Sequence, residues 1–106
     1  MPKEPDYAAK GHEAMQHAEE WMQRPVPLVK EVMASSHLSN VIDYCGEALK
    51  QDPKDHKSRF NLAKALVYVN RDAEASEHFA ELLKEGSYVD QVDEFLLKHP
   101  LVPSPK

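Results

Sequence analysis

The stretch "NLAKALVYVNRDAEASEHFAELL", residues 61–83, decides the fold because it holds two amphipathic segments separated by a short polar turn. Its apolar residues recur at the spacing of one helix face on both sides of the turn: Leu62, Ala63, Leu66, Val69, Ala75, Phe79, Leu82 and Leu83. The polar residues 70–72 between them are typical of a tight connection. The stretch therefore predicts two antiparallel helices that pack through their apolar faces.

Upstream of this hairpin the helical periodicity continues in three segments. Residues 6–23 form one predicted helix, which the prolines of "RPVP" at 24–27 end because proline lacks a backbone donor. A second helix follows and loses its pattern at "ASSHLSN", residues 34–40, where serine and asparagine side chains compete for backbone hydrogen bonds. A third predicted helix ends at Pro53.

Downstream of the hairpin the sequence predicts one more helix. Gly86 supplies the left-handed residue that commonly closes a helix, and an amphipathic segment follows over 88–99. The proline-rich residues 100–106 are too short to pack on their own, so they predict a flexible tail. No alternating run of β-branched residues indicates a strand. The sequence as a whole predicts an all-α domain of about six antiparallel helices.

Length, charge and cysteine content restrict the functional classes. The 106 residues suffice for one domain, and 13 basic and 18 acidic residues give a formal charge of −5, which disfavours a nucleic-acid partner. No apolar run approaches the roughly 20 residues that cross a bilayer, so no direct membrane insertion is expected. Cys45 is the single cysteine, and the polar start "MPKEPDYAAK" has no apolar signal region. A cytoplasmic location is therefore expected.

An internal period of 34 residues relates the predicted helices to one another. Positions at this separation carry matching residues: Leu28, Leu62 and Leu96; Val29, Ala63 and Leu97; Glu13, Glu47 and Glu81. Because apolar positions in different helices stay in phase, the helices are predicted to be equivalent units of a repeating architecture.

With this period the chain resembles the tetratricopeptide repeat (TPR) family, whose unit is a helix–turn–helix of 34 residues. Leu62 and Ala63 match the family's leucine and small residue on the first helix of a unit. Ala75 and Phe79 match the small residue and the aromatic on the second, and Pro53 matches the closing proline. The resemblance implies a helical solenoid, in which neighbouring units bury each other's apolar faces.

The resemblance also implies how the single TPR-like domain of residues 1–106 is divided. The helix at 6–23 comes first, a degenerate repeat covers 26–53, and the best repeat covers 54–87. Residues 88–99 form a capping helix before the tail. End units of such arrays are atypical because one of their faces meets solvent.

For function, the resemblance implies a protein–protein interaction module, an adaptor or co-chaperone-like scaffold that binds a peptide or helix of another protein. In this family the first helix of a repeat lines a concave groove. Five residues share one face of the corresponding helix here: Lys57, Phe60, Asn61, Lys64 and Tyr68. The resemblance assigns charge to the two lysines, a hydrogen bond to the ligand backbone to the asparagine, and contact area to the two aromatic residues.

Two alternatives come from other functional classes. One is a homo-oligomerising structural protein, in which the same faces pair two copies as a homodimer. The other is a metal-dependent hydrolase using His12, Glu13 and His17, because "HEAMQH" resembles a zinc-protease pattern. His12 and His17 differ by about 140° around a helix, which disfavours a shared metal ion.

A catalytic nucleophile pair of Cys45 and His78 would need an exposed thiol. The repeat instead places Cys45 at a packing position between helices. The sequence therefore predicts a binding protein with no enzymatic activity, no metal and no cofactor.

Overall fold

The computed structural model describes residues 6–24 and 27–101, with the backbone alone for residues 27–33. Within these ranges the chain forms five helices and no strand: α1 Tyr7–Met22, α2 Pro27–Gln51, α3 His56–Tyr68, α4 Asp72–Lys84 and α5 Val89–Lys98. The prediction of an all-α fold is confirmed. None of the helices in the described ranges is both long enough and apolar enough to cross a bilayer.

Two helices, α1 and α3, begin at an aspartate whose side chain caps the helix. The Asp6 carboxylate accepts a hydrogen bond of 3.0 Å from the backbone amide of Ala9 and so caps the start of α1. Asp55 caps α3 in the same way, since it accepts from the backbone amide of Ser58 at 3.1 Å and from its hydroxyl at 2.8 Å. These caps fix where α1 and α3 begin, and both helices contribute to the site below.

The predicted break at "ASSHLSN" is wrong, because residues 27–51 form one helix where two were predicted. The described part of α2 has a continuous buried stripe at helical spacing: Ala34, Leu38, Val41, Cys45 and Ala48. Serine and asparagine in a helix cost only a few tenths of a kcal/mol each, and residues 28–45 contain neither glycine nor proline. Packing along the stripe outweighs this cost, so the described chain has five helices, one fewer than predicted.

Some predictions fall wholly or partly outside the described residues. Residues 25–26 of the "RPVP" break lie outside them, although α1 ends at Met22 and α2 begins at Pro27 on either side. The side chains of residues 27–33 also lie outside, which include Leu28 and Val29 of the 34-residue period, as do residues 102–106 of the predicted tail. Leu101 is half-buried and packs against the core.

The core joins all five helices. Helices α1, α2 and α3 pack against one another, α4 packs against α3, and α5 packs at the edge beside α4. The largest fully buried side chains include Met15, Val41, Leu66, Leu82 and Val92, one from each helix in turn. The predicted hairpin over 61–83 is present as α3 and α4, and α1 lies across the other side of α3.

The connection from α4 to α5 sets the position of the last helix. Gly86 adopts φ +69°, which confirms the left-handed residue predicted there. Tyr88 is also left-handed, at φ 57°, and its ring stacks on Phe60 of α3 with centroids 5.3 Å apart. A bulky residue rarely adopts this backbone conformation, so the stacking against Phe60 holds the start of α5 in place.

Candidate functional site

The five predicted groove residues lie on one side of α3, but they differ in exposure. Lys57 is exposed, whereas Phe60, Lys64 and Tyr68 are half-buried and Asn61 is only 3% exposed. The reason is that α1 lies against this side of α3 and contacts it directly. The face predicted to be an open groove is thus partly covered by the chain's own first helix.

Asn61 takes part in an interhelical hydrogen bond. Its amide nitrogen lies 3.2 Å from Nδ1 of His12 on α1 and can donate to a neutral imidazole there. Burial lowers the pKa of His12, and the positive charges of Lys57 and Lys64 lower it further. A neutral His12 therefore accepts from Asn61, and the asparagine fixes α1 on α3.

A carboxylate from α1 joins two other predicted groove residues. The hydroxyl of Tyr68 donates to Oε2 of Glu19 at 3.3 Å, and Nζ of Lys64 lies 3.6 Å from the same oxygen. The Lys64 ammonium also sits 4.8 Å from the centre of the Phe60 ring. Burial raises the pKa of Tyr68, and the negative charge of Glu19 together with its hydrogen bond raises it further. Tyr68 is therefore a hydrogen-bond donor at neutral pH.

Beside this network an open cleft of about 330 Å³ lies between α3 and α5. Its lining comes from three helices: Glu19 of α1; Phe60, Lys64 and Tyr68 of α3; Gln91, Glu94, Phe95 and Lys98 of α5, with His99 just beyond. We call this space the α3–α5 cleft. Three of the five predicted groove residues meet here, while Lys57 and Asn61 do not line it.

Aromatic side chains form one wall of the α3–α5 cleft. The Tyr68 ring contacts Phe95 edge-on with centroids 5.6 Å apart, and His99 stacks on Phe95 at 4.8 Å. Tyr68 and His99 also meet edge-on at 5.3 Å. Such clusters offer a large rigid contact area at low conformational cost, which suits recognition of apolar side chains.

Charged side chains form the rest of the α3–α5 cleft. Lys64, whose side chain is 14% exposed, pairs with Glu19, whereas Lys98 and Glu94 pair at 3.6 Å with both side chains exposed. An exposed pair such as Lys98 and Glu94 contributes little to stability and exchanges readily with solvent or a ligand. The cleft can therefore offer both signs of charge beside an aromatic wall.

Sequence reasoning named no residue of α5 among the five groove residues. Gln91, Glu94, Phe95 and Lys98 recur at three- and four-residue spacing, which places them on one helix side. That spacing could have identified a polar and aromatic face. The spacing could not show that this face meets α3. The position of α5 beside α3 depends on the turn between α4 and α5 and on contacts distant in sequence.

Lys57 lies in a separate cavity of about 580 Å³ on the other side of His12. The first half of α1 supplies the rest of its lining, including Asp6, Glu13 and Gln16. The predicted binding face is therefore divided by the contact between His12 and Asn61 into two unequal parts.

The histidines of "HEAMQH" face different helices. His12 contacts Asn61 of α3, whereas His17 stacks on His37 of α2 with ring centroids 5.3 Å apart. His17 also lies 3.7 Å from Glu13. Among the residues described, no three or more histidine, cysteine, aspartate or glutamate side chains are arranged to hold a metal ion.

Cys45 and His78 also lie in different surroundings. Cys45 is fully buried, as the repeat predicts, and desolvation raises the pKa of its thiol to about 12. Nδ1 of His78 lies 3.0 Å from the guanidinium of Arg59, which also donates to the Pro53 carbonyl at 3.2 Å. The histidine therefore serves the α3 and α4 contact and does not face the thiol.

Comparison with known proteins identifies no relative: no family model, curated protein or solved structure matches the chain. The resemblance to tetratricopeptide repeats therefore remains a prediction that rests on residues 53–83. What can be said of function follows from the α3–α5 cleft and the residues that line it.

Proposed function

We propose that the chain is a TPR-like helical module that binds a peptide or a helix of another protein in the α3–α5 cleft, and that it catalyses no reaction. The observation that carries the proposal is the meeting of Phe60, Lys64 and Tyr68 with an aromatic and charged side of α5. A preformed cleft of this kind limits the ordering cost of binding to the ligand. We place its action in the cytoplasm, because a single cysteine excludes an internal disulfide framework.

In this proposal a charged group of the ligand replaces one member of an existing ion pair. An acidic group of the ligand takes the place of Glu19 beside Lys64 and Tyr68, since the Glu19 side chain is 36% exposed and can rotate away. The backbone of α1 stays where it is, because Met15 and Ala18 of that helix lie in the core. An apolar side chain of the ligand then packs on the aromatic wall beside Phe95.

The proposal can be tested with peptides selected by phage display for binding to the folded protein. Amide chemical shifts on titration should change around Lys64, Tyr68 and His99. Lys64→Met keeps an apolar stem over Phe60 and removes the charge, so it should weaken binding of acidic peptides by about tenfold. Lys50→Met is the matched control, because Lys50 is exposed on α2 and its ion-pair partner among the described residues is Glu47.

Equal weakening by both lysine variants, or shifts confined to α2, would contradict binding in the α3–α5 cleft. A second outcome favours the homo-oligomeric alternative. Sedimentation at several concentrations would then show a stable dimer that His99→Ala or Lys64→Met dissociates.

A further inference from the structure

The outer side of α5 carries two exposed apolar residues with an acidic residue between them. Val89, Asp93 and Leu97 follow one another at intervals of four residues, so they form one stripe along the helix. Leu97 is 84% exposed and Val89 is 37% exposed. The buried residues of the helix, Val92 and Phe95, lie about 100–160° away around the axis from Asp93. We call Val89, Asp93 and Leu97, with the adjacent Asp90, the outer α5 stripe.

Exposed large apolar side chains are concentrated in this part of the chain. Among the described residues only Leu83, Val89 and Leu97 belong to this class, and all three lie between the end of α4 and the end of α5. Leu97, left almost wholly in water, lies two helix turns from Val89, about 12 Å at 1.5 Å per residue, so a helix laid along α5 spans both residues.

Negative charge is concentrated in the same segment. Residues 72–98 contain eight acidic and two basic residues, a formal charge of −6, whereas the rest of the chain has ten acidic and eleven basic residues. Neither Asp90 nor Asp93 forms an ion pair with a described residue. The exposed apolar residues of α5 are therefore set among unneutralised carboxylates.

We propose that the outer α5 stripe docks a basic amphipathic helix of another protein. Apolar side chains along one face of such a helix cover Leu97 and Val89, and lysines or arginines beside them pair with Asp90 and Asp93. Complementary charge of this kind speeds association and fixes the orientation of the partner. A second copy of this chain would bring its own −6 segment against the first, which opposes pairing through this face.

The outer α5 stripe and the α3–α5 cleft lie on adjoining sides of α5. Gln91 and Lys98, which line the cleft, lie about 140–160° around the helix axis from Asp93. Glu94 also lines the cleft and lies only about 40° from Asp90 and about 60° from Leu97, so the two surfaces meet at Glu94.

A designed peptide tests the proposal directly. The probe is a fluorescent peptide of about 18 residues, five turns of helix, with leucines along one stripe and lysines on both sides of it. A scrambled peptide of the same composition has no apolar face. We expect the amphipathic peptide to bind with amide shifts on α5, and Leu97→Ser to weaken it by about fivefold to tenfold. Asp93→Lys should weaken peptide binding more at low ionic strength than at high ionic strength.

Matched variants keep the test specific. Asp43→Lys changes the net charge by the same amount as Asp93→Lys, but Asp43 is exposed on α2, so binding should change little. Leu97 and Asp93 are both exposed, and circular dichroism checks that their variants stay folded. Equal binding of the scrambled peptide, shifts confined to the α3–α5 cleft, or a dimer of the protein that Leu97→Ser dissociates would each overturn the proposal.

Discussion

The hydroxyl of Tyr68 donates a hydrogen bond of 3.3 Å to the carboxylate of Glu19, which lies 49 residues earlier in the chain. This bond joins α1 to α3 at the edge of the α3–α5 cleft, where Lys64 meets the same carboxylate oxygen. The first helix is therefore part of the candidate site, although the sequence predicts it only as the end of the repeat array.

The link between Tyr68 and Glu19 should be measurable as a coupling energy. Tyr68→Phe removes the donor and Glu19→Gln removes the negative charge, while both keep the shape of the side chain. In a double-mutant cycle by urea unfolding we expect a coupling of about 0.5–1.5 kcal/mol, reduced by the partial exposure of Glu19. Strictly additive effects would mean that the bond contributes nothing to the contact of α1 with α3.

A close approach of α1 to α2 depends on Gly11. A Cβ atom there would lie 2.5 Å from Sγ of Cys45 and 3.3 Å from its backbone nitrogen. Because Gly11 and Cys45 are both buried, Gly11→Ala should lower the free energy of unfolding by about 1–3 kcal/mol. Chemical denaturation measures this change.

Gly46 supplies the matched control for Gly11→Ala. It is also inside a helix, but a Cβ atom there meets nothing within 4 Å. Gly46→Ala should therefore raise stability by about 0.5–1 kcal/mol through helix propensity alone. Cys45→Ala in the Gly11→Ala protein should recover part of the loss, and a failure to recover any would place the strain elsewhere.

The Cys45 thiol should be unreactive in the folded protein. Burial keeps it protonated, with a pKa raised to about 12, and denies reagents access to sulfur. Ellman's reagent at mildly alkaline pH should label it only at the rate of unfolding, and at once in denaturant. Rapid labelling of the native protein would show that α1 opens away from α2.

The sequence predicts the α3–α4 hairpin because all its information is local: two apolar stripes, a polar turn and Gly86. The prediction from sequence fails at residues 34–40. The low helix propensity of serine and asparagine there is outweighed by tertiary packing, which the sequence alone does not show. The prediction also leaves α1 off the binding face, since the contacts of His12 with Asn61 and of Glu19 with Tyr68 each span 49 residues. Contacts of that range leave no periodic signal.

The continuity of α2 through residues 34–40 can be tested at Ser36. This residue is exposed in the helix, inside the segment where a break between two helices was predicted. In a continuous helix Ser36→Ala should raise stability by about half a kcal/mol, and Ser36→Gly should lower it by a similar amount. Urea unfolding measures both changes. If a turn occurred there, glycine would be tolerated as well as alanine or better.

Acid should weaken the contact between Arg59 and His78. Burial lowers the pKa of His78 below 6.5, and the charge of Arg59 lowers it further, while Glu77 and Glu74 act in the opposite direction. Because the unfolded chain binds the proton more tightly, the stabilisation is complete above about pH 6.5. It is lost progressively as pH falls through the lowered pKa of the folded protein.

The pH effect is measured by urea unfolding on both sides of the histidine range. His78→Gln keeps an acceptor for Arg59 but has no proton to gain, so its stability should fall less than that of the wild type between about pH 7.5 and 5.5. Part of the slope should remain in the variant, because burial lowers the pKa of His12 as well. Parallel profiles for the two proteins would mean that His78 is protonated equally in the folded and unfolded chains, and the hydrogen bond from Arg59 could not then depend on a neutral imidazole.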